Sequence, residues 1–100
     1  MKKLVWAASA LVDLENIHEY IAQDSLFYAN VFCLEIIQGV EKLADFPKMG
    51  RHVPEYNDEH VREIIISDYR IIYETIGARV NILTVIHGAK LLRNPKKFII

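Results

Sequence analysis

Arg62, Arg70 and His87 are the residues of this chain whose chemistry reaches beyond packing. Each lies in an apolar, β-rich run: Val61 to Ile66, Tyr69 to Ile76 and Val80 to His87. Two guanidinium groups can grip a phosphate bidentately, and a histidine with an unperturbed pKa of ~6.5 can move a proton near neutral pH. Together they would suit phosphodiester chemistry. The same arginines could instead pair with carboxylates of a partner protein. They could also be structural, held at strand ends by loop carbonyls or by Glu63 and Glu74. Residue types and spacing leave all three readings open.

Other chemistries have less support. His52 and His60 are separated by Glu55, Asp58 and Glu59, without the tight ligand spacing that marks a metal site, so no metal is expected. There is no Gly-rich phosphate loop, so no nucleotide and no cofactor is expected either. No RNP-type aromatic–basic motif surrounds Tyr56, Tyr69 and Tyr73, which read as packing and hydrogen-bonding residues. Cys33 is the single cysteine and sits in the apolar stretch Val31 to Leu34, which marks an inert buried thiol.

The elements that carry these residues follow from periodicity. Side chains alternate across a strand. Arg62 therefore shares a face with Ile64 and Ile66, Arg70 with Ile72, Glu74 and Ile76, and His87 with Val85, Leu83 and Asn81. Ser67-Asp68 and Gly77-Ala78 leave connections too short for anything but antiparallel hairpins. Upstream, Lys3 to Trp6 is a strand candidate. Ser9 is placed to cap a helix with Leu11, Leu14, Ile17 and Ile21 on one stripe, fading near Asp24-Ser25. A second helix from Leu26 carries Ala29, Phe32, Ile36, Val40 and Leu43 on one face. Val31, Leu34 and Ile37 lie outside that stripe, so its apolar surface is wider than one contact needs. Phe46-Pro47 and Gly50 end it, and Arg51 to His60 reads as a loop. The expected fold class is α+β: an N-terminal strand, a two-helix hairpin, then a three-stranded antiparallel meander with the helices on one face. Pro95 blocks a regular helix near the C-terminus, where Phe98-Ile99-Ile100 is apolar enough to dock.

One hundred residues, 52% of them hydrophobic and 25% charged, make residues 1–100 a single globular domain with a modest core. No apolar run approaches membrane-spanning length. The start, Met1 to Trp6, resembles a signal peptide, but Asp13 and Glu15 interrupt the apolar region, so a cytoplasmic protein is expected. Net charge is −1, unevenly spread. Ala8 to Phe46 holds seven acidic residues against one base, Lys42, whereas Arg79 to Ile100 holds five bases and no acid. The basic part suits an acidic partner or a polyanion, or is a solvated tail.

An ordered series of short matches adds to this reading. Ser9-Ala10, Asp13-Leu14, Ile17, Tyr20-Ile21-Ala22, Ala29, Leu43, Phe46-Pro47, Met49-Gly50-Arg51, Val61-Arg62-Glu63, Tyr69 to Tyr73 and Ile86 to Ala89 follow one another from about Leu4 to Lys90. In that order and spacing the chain resembles the RelE/ParE superfamily of toxins from type II toxin–antitoxin modules. The resemblance implies a growth-inhibiting or plasmid-stabilising toxin silenced in a hetero-oligomer with a cognate antitoxin, which would cover apolar surface at Phe32, Ile36 and Ile37 and meet Arg70. RelE-type members cut mRNA on the ribosome without a metal, whereas ParE-type members poison DNA gyrase. On the nuclease branch, Arg62 and Arg70 match phosphate-holding arginines, His87 an acid–base position and Glu55 a general base. The chain has no lysine between Lys48 and Lys90, unlike many nuclease members, and its YRIIY and HGAK pieces are common in ParE-like ones. A ParE-like gyrase poison is therefore the expectation, a RelE-like endonuclease the alternative. A degenerate member that binds antitoxin without toxicity is the third possibility.

Overall fold

In the computed structural model, residues 1–90 are described. The chain runs β1 (Lys3–Trp6), α1 (Ala8–Ala22), α2 (Leu26–Glu41) with a short 3₁₀ turn, β2 (Arg51–His52), β3 (Val61–Ile66), β4 (Tyr69–Ile76) and β5 (Arg79–His87). The α+β architecture and the strand–hairpin–meander order match the expectation. The sheet is larger than the meander, with five strands in the order β1-β5-β4-β3-β2. β1 lies parallel to β5, Lys3 opposite Arg79 and Trp6 opposite Ile82. The other pairings are antiparallel. The C-terminal expectations, Pro95 as a helix block and docking by Phe98 to Ile100, lie outside the described residues. Among the described residues no helix is long and apolar enough to cross a membrane.

Both helices pack on one face of the sheet. Ala29, Phe32, Ile36 and Val40 of α2 are buried, as is Leu43 just beyond it, because their spacing keeps them on one side of the helix. Phe32, Ile36, Val40 and Leu43 meet Ile71 and Tyr73 of β4 and Val80, Ile82 and Val85 of β5. Burying each large side chain stabilises the fold by about 1.5–3 kcal/mol. The first helix departs from its expected stripe. Leu14, Ile17 and Ile21 pack inward, but Leu11 is half exposed and Ala10 takes the buried place. A small residue is needed there because α1 starts directly against β5, with the Ala7 amide donating to the Ile82 carbonyl at 2.8 Å.

Ser9 is not the cap. Helix α1 starts at Ala8 after an extended Ala7 that makes no side-chain cap bond, and Ser9 sits in the first turn. Its hydroxyl donates to the Leu83 carbonyl at 2.6 Å. One turn on, the Asp13 carboxylate accepts from the Val85 amide at 3.1 Å and from the Thr84 hydroxyl. Where β1 runs out at Trp6, α1 takes over the edge of β5 with side-chain oxygens. The serine that does cap a helix is Ser25, whose hydroxyl accepts from the Tyr28 amide at 3.2 Å.

The expected 51–60 loop is partly a strand. Arg51 pairs with Glu63 and His52 with Arg62. Residues 53–60 then cross the helix-free face as a strap, with Val53 buried and Tyr56 packed against the second cluster of Val61, Ile72 and Leu83. That face is therefore covered rather than open.

Candidate functional site: a neutralised arginine cluster

Strand register decides which candidate residues can act together. Arg62 stands opposite Tyr73, while Arg70 stands opposite Ile65, so the two arginines project from opposite faces of the sheet. A bulge between Ile72 and Tyr73 skips Leu83, pairing Ile72 with Thr84 and Tyr73 with Ile82. This shifts the alternation within β5. His87 keeps Val85 on its face, as expected, but Leu83 and Asn81 turn to the other side, where Leu83 joins the strap cluster. His87 ends up beside Tyr69 on the helix side, their rings edge to face with centroids 5.5 Å apart. Its Nδ1 accepts from the Ala89 amide at 3.2 Å. The structure thus unites Arg70 with Glu55 and separates both from His87 and from Arg62.

Arg62 is held by main chain. Its guanidinium donates to the Gly50 carbonyl at 2.8 Å and makes a longer contact of 3.5 Å with the Lys48 carbonyl. Tyr73 fastens the same turn, its hydroxyl donating to the Pro47 carbonyl at 2.8 Å and accepting from the Gly50 amide at 2.9 Å. Burial pushes the Tyr73 phenol above its usual range, against the opposing pull of the Gly50 amide and the Arg62 charge. Gly50 is required by space: a Cβ there would lie 2.5 Å from the Glu63 carbonyl oxygen and 2.6 Å from the Tyr73 hydroxyl.

Arg70 uses its whole fork internally. Nη1 and Nη2 reach the two oxygens of Glu55 at 2.7 and 2.6 Å, and Nε reaches Oε1 of Glu63 at 2.7 Å. Nη1 also donates to the Lys90 carbonyl at 3.0 Å. The other oxygen of Glu63 accepts from Nε of Arg51 at 2.7 Å. Among the described residues two cations and two anions meet in this cluster, with Arg70 and Glu63 almost fully buried. The bonds to Glu55, together with those to Glu63, raise the Arg70 guanidinium further above its already high pKa, outweighing the opposing effect of burial. It stays charged at every accessible pH. Tyr56 lies against this cluster, its phenol raised by burial and by Glu55, and its hydroxyl buried without a hydrogen-bond partner among the described residues.

The remaining candidates sort by exposure. Phe32 and Ile36 are core residues, Phe32 edge to face with Tyr69 at 5.0 Å, so their side chains are spent inside. Ile37 is partly exposed, and so are Leu34, Leu26, Phe27 and Tyr28 on the outer side of α2. Cys33 is half-buried rather than fully buried as expected, and that burial raises its thiol above the ordinary value. Among the described residues no group of three or more His, Cys, Asp or Glu could hold a metal. Glu63, Arg51 and Tyr56 complete the cluster without having been singled out as site residues. Alternation within β3 sets Glu63 on the face opposite Arg62, and the pairing of Ile65 with Arg70 makes that the Arg70 side of the sheet.

Known proteins share this arrangement of strands and helices. A profile described as the ParE toxin of the parDE type II toxin–antitoxin system matches residues 4–92. Toxin RelE2 of Caulobacter vibrioides is 32% identical over 91 residues, covering 91% of this chain and all of that protein. A solved structure described as a chromosomal ParDE toxin–antitoxin system from P. aeruginosa is alike in fold, with a TM-score of 0.73 over 87% of this chain and 96% of that one, at 21% identity. This chain belongs to the ParE toxin family of type II toxin–antitoxin systems, within the RelE/ParE superfamily.

Proposed function

We propose that the chain acts in the cytoplasm as a ParE-like toxin that poisons DNA gyrase and is silenced by a cognate antitoxin. The observation that carries the gyrase reading is the state of Arg70. A nuclease of the RelE type would need its phosphate-gripping arginine open to RNA, yet the Arg70 fork is filled by Glu55 and Glu63 inside a neutral cluster. A carboxylate that would serve as base is held in the same ion pair. Arg62 and His87 lie across the sheet from it. A poison that works by binding needs no such set.

The nuclease alternative draws on the exposed imidazole of His87 and on the RelE name of the 32%-identical relative. Induced expression without antitoxin separates the readings, with DNA breaks and mRNA 5′ ends followed in parallel. The gyrase reading expects gyrase-linked breaks and an SOS response with mRNA intact. Codon-phased mRNA cleavage with intact DNA would replace it with the nuclease reading. Unimpaired growth at strong expression would leave a member that binds antitoxin and harms nothing.

A further inference from the structure

The sequence has no acid before Asp13 and none after Glu74. The sheet brings these two acid-free ends together, because β1 lies parallel to β5 with Lys3 opposite Arg79. Leu4 and Trp6 pack toward the helices, as do Val80 and Ile82, so alternation leaves Lys3 and Arg79 side by side on the helix-free face. Both are exposed. Ile76, the partner of Arg79 on β4, extends the same row and is half exposed.

Lys2 adds a third cation. Its ammonium donates to the Gly77 carbonyl at 2.5 Å, on the turn that joins β4 to β5. The Lys3 amide donates to the Ala78 carbonyl of the same turn at 2.8 Å. Gly77 has a left-handed φ of 56°, and a Cβ there would meet nothing within 4 Å, so the turn projects into open space.

Like charges set directly opposite on neighbouring strands repel. No acid relieves this pair, since among the described residues Lys2, Lys3 and Arg79 make no ion pair. Two acids come near. Glu74 stands one step further in, opposite Asn81, and accepts from that side-chain amide at 3.3 Å. Asp45 follows Ala44, whose carbonyl accepts from the Lys2 amide at 2.8 Å.

Cations fixed on sheet backbone and kept without a counter-charge suit an external polyanion. The exposed large apolar side chains beside them are Ile76 and Met1, and neither is the aromatic anchor that the core of a protein interface favours. A phosphate backbone asks for no such anchor, because cations and main-chain amides suffice to hold it. We propose that this tip is a docking surface for a nucleic-acid backbone, whose phosphates lie against Lys2, Lys3 and Arg79. The proposal rests on the reading of the chain as a gyrase poison, in which the duplex held by gyrase supplies the backbone.

The test titrates the full-length toxin with a DNA duplex and with an RNA duplex of equal length, following amide shifts and affinity between about 50 and 200 mM salt. The amides of Gly77, Ala78 and Arg79 should shift on DNA. Each phosphate contact adds about −0.9 to the slope of log affinity against log salt, a loss of about 3.5-fold over that range. Lys3→Gln and Arg79→Gln should each remove one such loss, and the double variant about twelve-fold in all. Lys48→Gln, at an exposed lysine outside the tip, should remove none. Arg93, Lys96 and Lys97 are common to all the variants, so the differences in slope report the tip alone. Tighter binding of the RNA duplex would keep the surface and move its source from gyrase-held DNA to RNA. Unchanged slopes in both variants would overturn the proposal, and so would an unshifted turn in the wild-type titration, which needs no substitution to fold. Equal shifts on adding poly-glutamate would overturn it too, by making the tip a site for any acidic chain. Gyrase-linked breaks in expressing cells test the underlying reading separately. Full breaks without duplex contact would remove the surface and keep the gyrase reading, whereas duplex contact without breaks would do the reverse.

Discussion

Arg70 and Glu63 meet inside the sheet, Nε to Oε1 at 2.7 Å, with 6% and 0% of their side chains exposed. Burying either charge alone would cost several kcal/mol, so neither is tolerated without the other. The pair is extended at both ends, to Arg51 on β2 and to Glu55 on the strap. One buried carboxylate thus ties together three strands, and one guanidinium ties the strap and the exit of β5 to them. The same bonds that make Arg70 structural deny its fork to a phosphate.

Removing Glu63 should therefore cost more than removing Glu55. Glu63→Ala strands Arg70 with one neutralising partner on its buried side and should destabilise the fold by about 3–5 kcal/mol. Glu55 keeps 16% of its side chain in water, so solvent can reach the fork after Glu55→Ala and the loss should be smaller. Chemical denaturation measures both. Limited proteolysis should show new cuts within residues 53–60 in Glu55→Ala, because the strap has lost its ionic anchor. Equal losses in the two variants would contradict this division of roles.

Tyr73 gives the fold an alkaline limit. Its phenol is raised above the ordinary value of 10, mainly by burial, so the folded state favours the neutral form more than the unfolded chain does. The stability it contributes is present in full below pH 10 and is lost as pH rises above that through the folded-state value. Tyr56 is raised in the same direction and shares the effect. Tyr73→Phe should cost about 1–3 kcal/mol at pH 7, since the Gly50 amide loses its acceptor. It should also flatten the fall in melting temperature between pH 9 and 11. A fall of unchanged steepness in the variant would assign the alkaline limit to another group.

Much of this fold was legible in the sequence because the signals were local. The α2 stripe from Ala29 to Leu43 and the two short hairpins each follow from spacing within one element, and each stands where expected. The site was less legible because it depends on register. Alternation within each strand groups Arg62 with Ile64 and Ile66, and Arg70 with Ile72, Glu74 and Ile76, but only the pairing of β3 with β4 shows that the two arginines stand on opposite faces. The bulge opposite Ile72 and Tyr73 then moves Leu83 and Asn81 away from His87's face, and no residue in β5 announces it. Ser9 showed a similar limit: its type suggested a cap, and only the end of β1 at Trp6 makes it an edge partner of Leu83 instead.

The two close-approach glycines should respond differently to alanine. At Gly50 the added Cβ meets a backbone carbonyl and a buried phenol that cannot both retreat. Gly50→Ala should cost about 3 kcal/mol, the upper end of an overpacking penalty. At Gly39 the obstacle is the Cδ1 tip of Ile66, which can rotate away. The helix propensity gained there, about 0.5–1 kcal/mol, offsets the crowding, so Gly39→Ala should lie within about 1 kcal/mol of the parent. Thermal unfolding of the two variants ranks them directly, and a Gly39→Ala loss as large as that of Gly50→Ala would mean that Ile66 cannot move.

The α1 seal on β5 predicts a local effect as well as a global one. Asp13→Ala leaves the Val85 amide and the Thr84 hydroxyl without their acceptor in a part-buried place, at about 1–3 kcal/mol for each orphaned group. Ser9→Ala removes one donor from a carbonyl with a second lone pair and should cost about 1 kcal/mol. Asp13→Asn keeps an accepting oxygen at the same position and should fall between the parent and Asp13→Ala. Native-state hydrogen exchange reads the local part: the Val85 amide should lose protection in Asp13→Ala while that of Ile71, on β4, changes only with global stability. If Val85 and Ile71 shifted together, the carboxylate would be supporting the whole core, and α1 would not be acting as the missing end of β1.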